Sequence, residues 1–273
     1  MARYLSGFRT SGWRYWPLDL TLQELARIGY GAVEFCLEHP DAAPRVMTED
    51  RCARVVAMLE QHDLALASVS FHGKREHPAL KTDYTRRLVD VAARIRDAGA
   101  PADVLVVGSC LPGRDPDDQE QRFQHIAGLM RETCERAADA GFVVALEPEP
   151  DTVIEGTAEM DRLLDAVDHP ALRVNLDLGH AEVTEGDVEG SIRHFASVLS
   201  HVHVEDIANR VHHHLVPGQG TIDLAGAFRT LWEVGYRRPL TIDMFNINDD
   251  APGWAQRCYD GLSAAQAQAF PEA

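Results

Sequence analysis

Short runs rich in β-branched residues alternate with longer segments of helical periodicity along the whole chain, and this alternation constrains the fold more than any other feature. The runs have the length and apolar content of buried strands, and the segments between them have the spacing of amphipathic helices. Eight such units predict a parallel sheet, because parallel strands need helical crossovers between them. We predict strands at 4–8, 32–37, 65–71, 103–108, 143–147, 173–177, 201–204 and 240–244.

Eight strand–helix units that close on themselves form an α/β fold of the (β/α)8 (TIM) barrel type. An open doubly wound sheet is the competing architecture, but the first strand–helix turn, GFRTSGW, lacks the glycine pattern of a dinucleotide-binding loop. The 273 residues contain no Gly/Ser-rich linker, and a barrel typically needs about 250. We expect one barrel domain over residues 1–273, with helices at 21–29, 48–62, 83–98, 118–140, 157–167, 189–199, 223–235 and 254–269.

The charge balance and the apolar runs argue against two classes of partner. The chain has 26 Lys and Arg against 43 Asp and Glu, a net charge of −17, which opposes sustained contact with a nucleic-acid backbone. No uninterrupted apolar run approaches the roughly 18 residues of a membrane span. The five cysteines include no CxxC pair, as is typical of reduced thiols. We expect a soluble cytoplasmic protein with no nucleic-acid or membrane partner.

Four acidic or imidazole residues stand at the ends of four successive predicted strands in the second half of the chain. They are Glu147 in VVALEP, Asp177 in LRVNLDLGH, His203 in HVHVED and Asp243 in LTIDMF. A single acidic residue at a strand end is more often a helix cap, but strand side chains alternate with period two, and these four are in phase. Because catalytic groups of a barrel gather at the carboxyl ends of its strands, the four side chains are predicted to converge on a metal ion.

Three carboxylates and one imidazole form a mostly hard ligand set. Such a set suits one divalent ion, Mn²⁺ or Co²⁺, with Mg²⁺ or Zn²⁺ as alternatives. Without a cation, three converging carboxylates would repel each other strongly in a pocket of low dielectric constant. The ligand set therefore predicts a bound divalent metal as the cofactor.

Four histidines are candidates for substrate binding. His180 follows Asp177 by three residues, where it either caps the next helix or reaches a substrate hydroxyl. His72 ends the third strand and is either a core histidine or a group beside the metal. His212 and His214 belong to the run VHHHLVPGQGTID, which is either a solvated loop or, with residues two apart facing the same way, a pair that points into the pocket.

Two weaker sets of candidates lie in the loops and in the first half of the chain. Glu34 and Glu38 are in phase on the second predicted strand, so their side chains share one face of that strand. Arg9, Arg14 and Arg210 are the arginines available for a phosphate group of the substrate. No Lys/Arg cluster marks a phosphate site, so the sequence leaves open whether the substrate is phosphorylated.

The segments LEPEP, NLDLGHA, HVHVED, VPGQGTID and a terminal LTID occur in this order over residues 140–246. Together they resemble the xylose isomerase-like TIM barrel superfamily of sugar (phosphate) isomerases and epimerases. The resemblance implies that Glu147, Asp177, His203 and Asp243 are metal ligands, that His180 contacts substrate, and that Glu147 and Asp243 form the acid/base pair. Asp243 departs from the glutamate usual in the family. Its shorter side chain either brings the backbone closer to the metal or binds metal without reaching the substrate carbon.

These features predict an enzyme of carbohydrate metabolism, a metal-dependent sugar or sugar phosphate isomerase or epimerase that transfers protons through an enediolate at the metal. Its partner is expected to be a small carbohydrate or polyol substrate, and assembly into a homo-oligomer stays open. One alternative is a metal-dependent lyase or dehydratase. A second is a multi-metal phosphoester hydrolase similar to the apurinic endonucleases, with His72, His212 and His214 as extra ligands. A third is a barrel that binds a metal–sugar complex without catalysis.

Overall fold

The computed structural model of the chain is a closed barrel of eight parallel strands. It describes residues 3–73, 78–108, 117–244, 247 and 249–271. Each strand pairs with the next one in sequence, and the last pairs in parallel with the first, which closes the barrel. The predicted (β/α)8 barrel is therefore confirmed.

The strands differ from their predicted limits by two residues or fewer at each end. They are β1 (Ser6–Arg9), β2 (Ala32–Cys36), β3 (Ala65–Phe71), β4 (Val104–Gly108), β5 (Val143–Glu147), β6 (Leu172–Asp177), β7 (Leu199–Val204) and β8 (Leu240–Ile242). The helices in the described part of the chain are α1 (Leu18–Ile28), α2 (Glu49–Gln61), α3 (Pro78–Asp97), α4 (Gln119–Asp139), α5 (Thr157–Val167), α6 (Leu178–Thr184), α7 (Val188–His194), α8 (Leu224–Glu233) and α9 (Ala251–Ala269).

The strands read as near-continuous apolar runs because both of their faces are buried. Every residue of β2 and β4 is buried. The helices cover the outside of the barrel with one apolar stripe each, as α5 does with Met160, Leu163 and Val167 at helical spacing. The main hydrophobic core lies between strands and helices, and a small cluster of Val104, Val106 and Ala145 is separate from it.

The connection between β6 and β7 differs from the prediction of one helix over 189–199. It contains two short helices, α6 and α7, and Leu199 already belongs to β7, where it pairs with Val174. α6 begins directly after the strand because the Asp177 side chain caps it, accepting hydrogen bonds from the backbone of Gly179 (2.7 Å) and His180 (3.0 Å). A helix of seven residues is too short to produce a readable apolar period.

No helix in the described ranges combines the length and apolarity that crossing a bilayer requires. The strand ends that carry the predicted ligands all lie at the carboxyl end of the barrel. β8 ends one residue before Asp243, but the backbone of Asp243 continues the ladder by donating to Val204 O at 3.1 Å. The fold therefore brings all four predicted ligands to the same end.

Candidate metal centre and active site

The four predicted ligands form one buried cluster at the carboxyl ends of β5 to β8. Each of Glu147, Asp177, His203 and Asp243 contributes one ligand atom, and these atoms all lie within 4.8 Å of one another. The β6–β7 register sets Asp177 directly beside His203. All four are at most 3% exposed. A cluster this compact has the size of a coordination sphere for a single cation.

Two carboxylate oxygens in this cluster fit a metal ligand better than any other role. Among the described residues, Asp177 Oδ2 and Asp243 Oδ1 are buried without a hydrogen-bond partner. The other oxygen of Asp177 is occupied by the cap of α6. Because an unpaired buried carboxylate oxygen is costly, both atoms are suited to coordinate a divalent ion.

Glu147 sits between two histidines. Its Oε1 is 2.6 Å from His203 Nδ1, and its Oε2 is 2.8 Å from His72 Nε2. Burial opposes ionisation, but His203 and His72 outweigh it and hold the pKa of Glu147 well below its usual range. Glu147 is therefore a carboxylate at neutral pH, the form that both ligation and proton abstraction require.

His203 stands among carboxylates on two sides. Burial lowers its pKa, but Glu34 and Glu147 outweigh that effect and raise the pKa well above its usual range. A proton on His203 and a divalent cation are thus alternative ways to neutralise the same carboxylates. Metal binding at this cluster should release that proton.

Asp243 is paired with a buried arginine. Arg9, at the end of β1, donates from Nη1 to Asp243 Oδ2 and from Nε to Glu34 Oε1 at 2.9 Å. Burial raises the pKa of Asp243, and Arg9 lowers it, with a net downward shift. The guanidinium thus pairs with two carboxylates, and Arg9 is poorly suited to bind a phosphate group of the substrate.

The other two arginines differ in position. Arg210 donates to the carbonyls of Val183 and Thr184, both at 2.9 Å, and so supports the end of α6. Arg14 lines the cavity above the cluster of predicted ligands. Arg14 therefore remains as the candidate for an anionic or polar group of the substrate.

The histidine-rich loop after β7 folds back over the barrel. Asp206 and Leu215 pair in an antiparallel bridge, and the Asp206 carboxylate accepts from the backbone of Gly218 (2.8 Å) and Gly220 (2.9 Å). The bridge brings the intervening segment back to the barrel mouth. His212 and His214 line the cavity there, whereas the side chain between them, at 213, is exposed, as strand-like alternation requires.

His180 lies in α6 and faces these two histidines. Its Nδ1 lies 2.9 Å from Pro148 O and its Nε2 lies 3.1 Å from His212 Nε2. Burial lowers the pKa of His180, but Asp177 and Glu147 outweigh it and raise the pKa. In the neutral ring, donation from Nδ1 to the carbonyl leaves a lone pair on Nε2 toward the cavity. Burial, His180 and His214 lower the pKa of His212 to about 4, so His212 is neutral at pH 7. It can then accept a hydrogen bond or bind a metal.

Glu205 is the buried residue that the sequence reasoning missed. It directly follows β7, is fully buried, and contacts His214 Nδ1, which also lies 2.8 Å from Asp243 O. Burial and the nearby Asp177 raise the pKa of Glu205 to about 8. With His180, His212 and His214 it forms a second group whose ligand atoms lie within 4.8 Å of one another. The period of two that identified the other candidates also applies to Glu205, because it is in phase with His203 in HVHVED.

His72 and Glu38 come from the first half of the barrel. His72 follows β3 and contacts Glu147 as described, and its Nδ1 lies 2.6 Å from Arg9 Nη2. The Glu38 carboxylate accepts from the backbone of His72 and of Gly73 and so fixes the turn after β3. His72 is thus a neighbour of the predicted ligands rather than an isolated core histidine.

A cavity of about 450 Å³ opens above the cluster, within the range typical of small-molecule sites. Its walls mix carboxylates, imidazoles and two guanidinium groups, a surface that suits the hydroxyls of a polar ligand. They are formed by Arg9, Ser11, Arg14, Glu38, His72, Gly73, Glu147, Glu149, His180, His212, His214 and Asp243. Asp177 and His203 lie beneath the residues that form the cavity floor, and they are only 1% and 0% exposed.

The sequence profile of the xylose isomerase-like TIM barrel family matches residues 22–262, and the chain belongs to this family. The resemblance seen in the sequence motifs is thereby confirmed. The L-ribulose 3-epimerase of Methylomonas sp. (strain DH-1) is 25% identical over 236 residues, which cover 81% of this chain and 76% of that protein.

Two further similarities are to a dehydratase and to the solved structure of an epimerase. The inosose dehydratase of Serratia proteamaculans (strain 568) is 26% identical over 148 residues, 47% of this chain and 49% of that protein. The structure of D-psicose 3-epimerase with D-tagatose from Clostridium cellulolyticum H10 superposes with a TM-score of 0.75 at 18% identity. That superposition covers 97% of this chain and 99% of the other. The structural likeness supports the barrel fold, and the two curated relatives named here are an epimerase and a dehydratase.

Proposed function

We propose that this protein is a divalent-metal-dependent isomerase or epimerase that acts on a small sugar or polyol-derived ketose. One observation carries the proposal: Glu147 belongs to the buried ligand cluster and also lines the cavity. A carboxylate in that position can reach both a cation and a substrate carbon. The epimerases among the relatives support the same reaction class.

In the proposed reaction, Glu147, Asp177, His203 and Asp243 hold the cation. When bound, the cation supplies Lewis-acid polarisation of the substrate carbonyl, which makes the neighbouring C–H bond acidic. Glu147 would remove that proton to give an enediolate. Asp243, after taking up a proton from solvent in the cavity, would deliver it to the other face or the other carbon, and Glu147 would release its own proton to solvent. His180, His212, His214 and His72 bind and orient the substrate hydroxyls. General-base catalysis of this kind contributes about 10²–10⁴ in rate.

The contact between Arg9 and Asp243 favours one second candidate, a dehydratase. Arg9 occupies Asp243 Oδ2 and the remaining oxygen is suited to the metal, so Asp243 has little capacity left to carry a proton. A dehydratase needs the same proton abstraction by Glu147. The β-hydroxyl would then leave as water with the abstracted proton, and carbon would not be reprotonated. The inosose dehydratases among the relatives belong to this reaction class.

A substrate panel separates the two candidates. We expect the Mn²⁺-loaded protein to convert at least one member of a set of free and phosphorylated ketoses and inositol-derived ketones, followed by NMR. An epimeric or isomeric product supports the first candidate, and loss of water supports the second. Conversion of phosphorylated members alone would assign Arg14 a role in phosphate binding.

The number of bound metal ions, in the wild type and in a variant of the histidine-rich loop, distinguishes the proposed function from a multi-metal hydrolase. We expect one tightly bound ion per chain in the wild type and in a His212→Ala/His214→Ala double variant. The KM of the variant should rise roughly tenfold or more, since each lost hydrogen bond is worth about 0.5–1.5 kcal/mol. His213→Ala, in the same loop but exposed, is the matched control and should behave as wild type. Two or three ions per wild-type chain, reduced in the double variant, would instead support hydrolysis.

A further inference from the structure

A fully buried carboxylate on the opposite side of the barrel contacts the imidazole of the metal cluster. Glu34, in β2, lies with Oε2 2.9 Å from His203 Nε2. The other ring nitrogen, Nδ1, faces the ligand cluster, 2.6 Å from Glu147 Oε1 and 3.7 Å from Asp243 Oδ2. The His203 ring therefore spans the distance between Glu34 and the proposed cation.

We propose that Glu34 is a positioning residue that holds His203 in the tautomer and orientation required for metal binding; this inference rests on the proposed function. A neutral imidazole carries one N–H. With the Nε2 proton donated to Glu34, the lone pair of the neutral ring is on Nδ1 and points into the ligand cluster.

Glu34 is a poor candidate for a ligand in its own right, although it forms a compact group with His201 and His203. Its Oε1 accepts from Arg9 Nε at 2.9 Å. Its Oε2 accepts from Ser68 Oγ at 2.9 Å and lies 3.0 Å from His201 Nε2. Coordination by Glu34 would have to break several of these contacts in a buried site, where unpaired donors are costly. The contacts instead fix the position of the carboxylate.

The same network reaches a second ligand through Arg9. Its guanidinium bridges Glu34 and Asp243, so the ends of β1 and β2 support ligands that belong to β7 and β8. These two strands contribute no ligand to the proposed cluster. The side chains at the ends of β1 and β2 would then orient the ligands by hydrogen bonds, as in carboxylate–histidine–metal arrangements in general.

The test compares Glu34→Gln with Ser68→Ala in the full-length protein. Both variants perturb the same buried network, but Glu34 contacts His203 directly, whereas the Ser68 hydroxyl donates to Glu34. We expect Glu34→Gln to weaken Co²⁺ affinity about 10–100-fold and to change the visible absorption spectrum of the Co²⁺-loaded protein. Ser68→Ala should change both much less, because Arg9 and His201 still hold the Glu34 carboxylate. In the Zn²⁺-loaded, ¹⁵N-histidine-labelled protein, the NMR signal of the His203 Nε2–H should shift in Glu34→Gln alone.

Circular dichroism and thermal melting verify that each variant is folded. Glu34→Asp, which keeps the charge but withdraws it by one methylene, provides the same comparison if Glu34→Gln does not fold, with a smaller expected loss of affinity. A folded Glu34 variant with wild-type Co²⁺ affinity and spectrum, or an equal change in Ser68→Ala, overturns the inference. A wild-type protein that binds no Co²⁺ or Mn²⁺ overturns the proposed function itself.

Discussion

Replacing Asp177 or His203 by alanine will leave a folded barrel that no longer retains its divalent ion. Both residues lie beneath the cavity floor, and Asp177 Oδ2 has no hydrogen-bond partner in the described part of the chain. Residues that hydrogen-bond to a metal ligand without binding the metal already change metal affinity about 10–100-fold. Loss of a ligand should therefore lower the affinity by at least that factor. Elemental analysis of the purified variants after gel filtration measures the effect.

The Asp177 variant needs a control, because this side chain also caps α6. Loss of a helix cap costs about 0.5–2 kcal/mol. Asp187 caps α7 in the same way, with its carboxylate accepting from Gly190 N at 2.8 Å, but lies at the surface. Asp187→Ala should lose a similar stability and keep its metal. Full metal occupancy in Asp177→Ala and His203→Ala would mean that the ligands are other residues.

Replacing Glu147 by glutamine will abolish measurable proton exchange on the substrate, with a loss of about 10²–10⁴ in rate from the missing general base. Glutamine keeps the shape of the side chain and can still contact a cation weakly, but it cannot accept a proton. Asp243→Asn should slow the reaction less, because Arg9 already occupies one oxygen of Asp243. Rates are compared at saturating Mn²⁺, which separates the chemical step from loss of metal.

A surface substitution of the same type serves as the control for Glu147→Gln. Glu60, exposed in α2, loses the same charge in Glu60→Gln and should leave the rate unchanged. Equal exchange rates in Glu147→Gln and wild type would remove Glu147 from the proton-transfer step. A larger loss in Asp243→Asn than in Glu147→Gln would exchange the roles proposed for the two residues.

The barrel and the grouping of Glu147, Asp177, His203 and Asp243 could be predicted because both follow from local periodicity. Strand length, the period of two and the position at a strand end are all visible in a short window of sequence. The resemblance of the second-half motifs pointed to the same family. Glu205 could have been found by the same rule, since it continues the phase of His203.

The network behind the metal cluster could not be predicted from the sequence in the same way. Glu34 and His203 are 169 positions apart, and Arg9 and Asp243 are 234 apart. Spacing along the chain carries no information about such pairs; they depend on how the barrel closes and on the directions of individual side chains. For the same reason Arg9 could not be distinguished from a substrate-binding arginine until its two carboxylate partners were located.

Turnover of the Mn²⁺-loaded wild-type protein in D₂O, followed by NMR, tests the central claim that this barrel transfers a proton to or from a carbon beside a carbonyl. With a ketose or polyol-derived ketone that the enzyme converts, we expect one deuterium at the carbon next to the carbonyl, at a rate that depends on Glu147. Hydrolysis of a phosphoester by a protein that holds two or three ions, with no deuterium incorporated into any sugar tested, would contradict it.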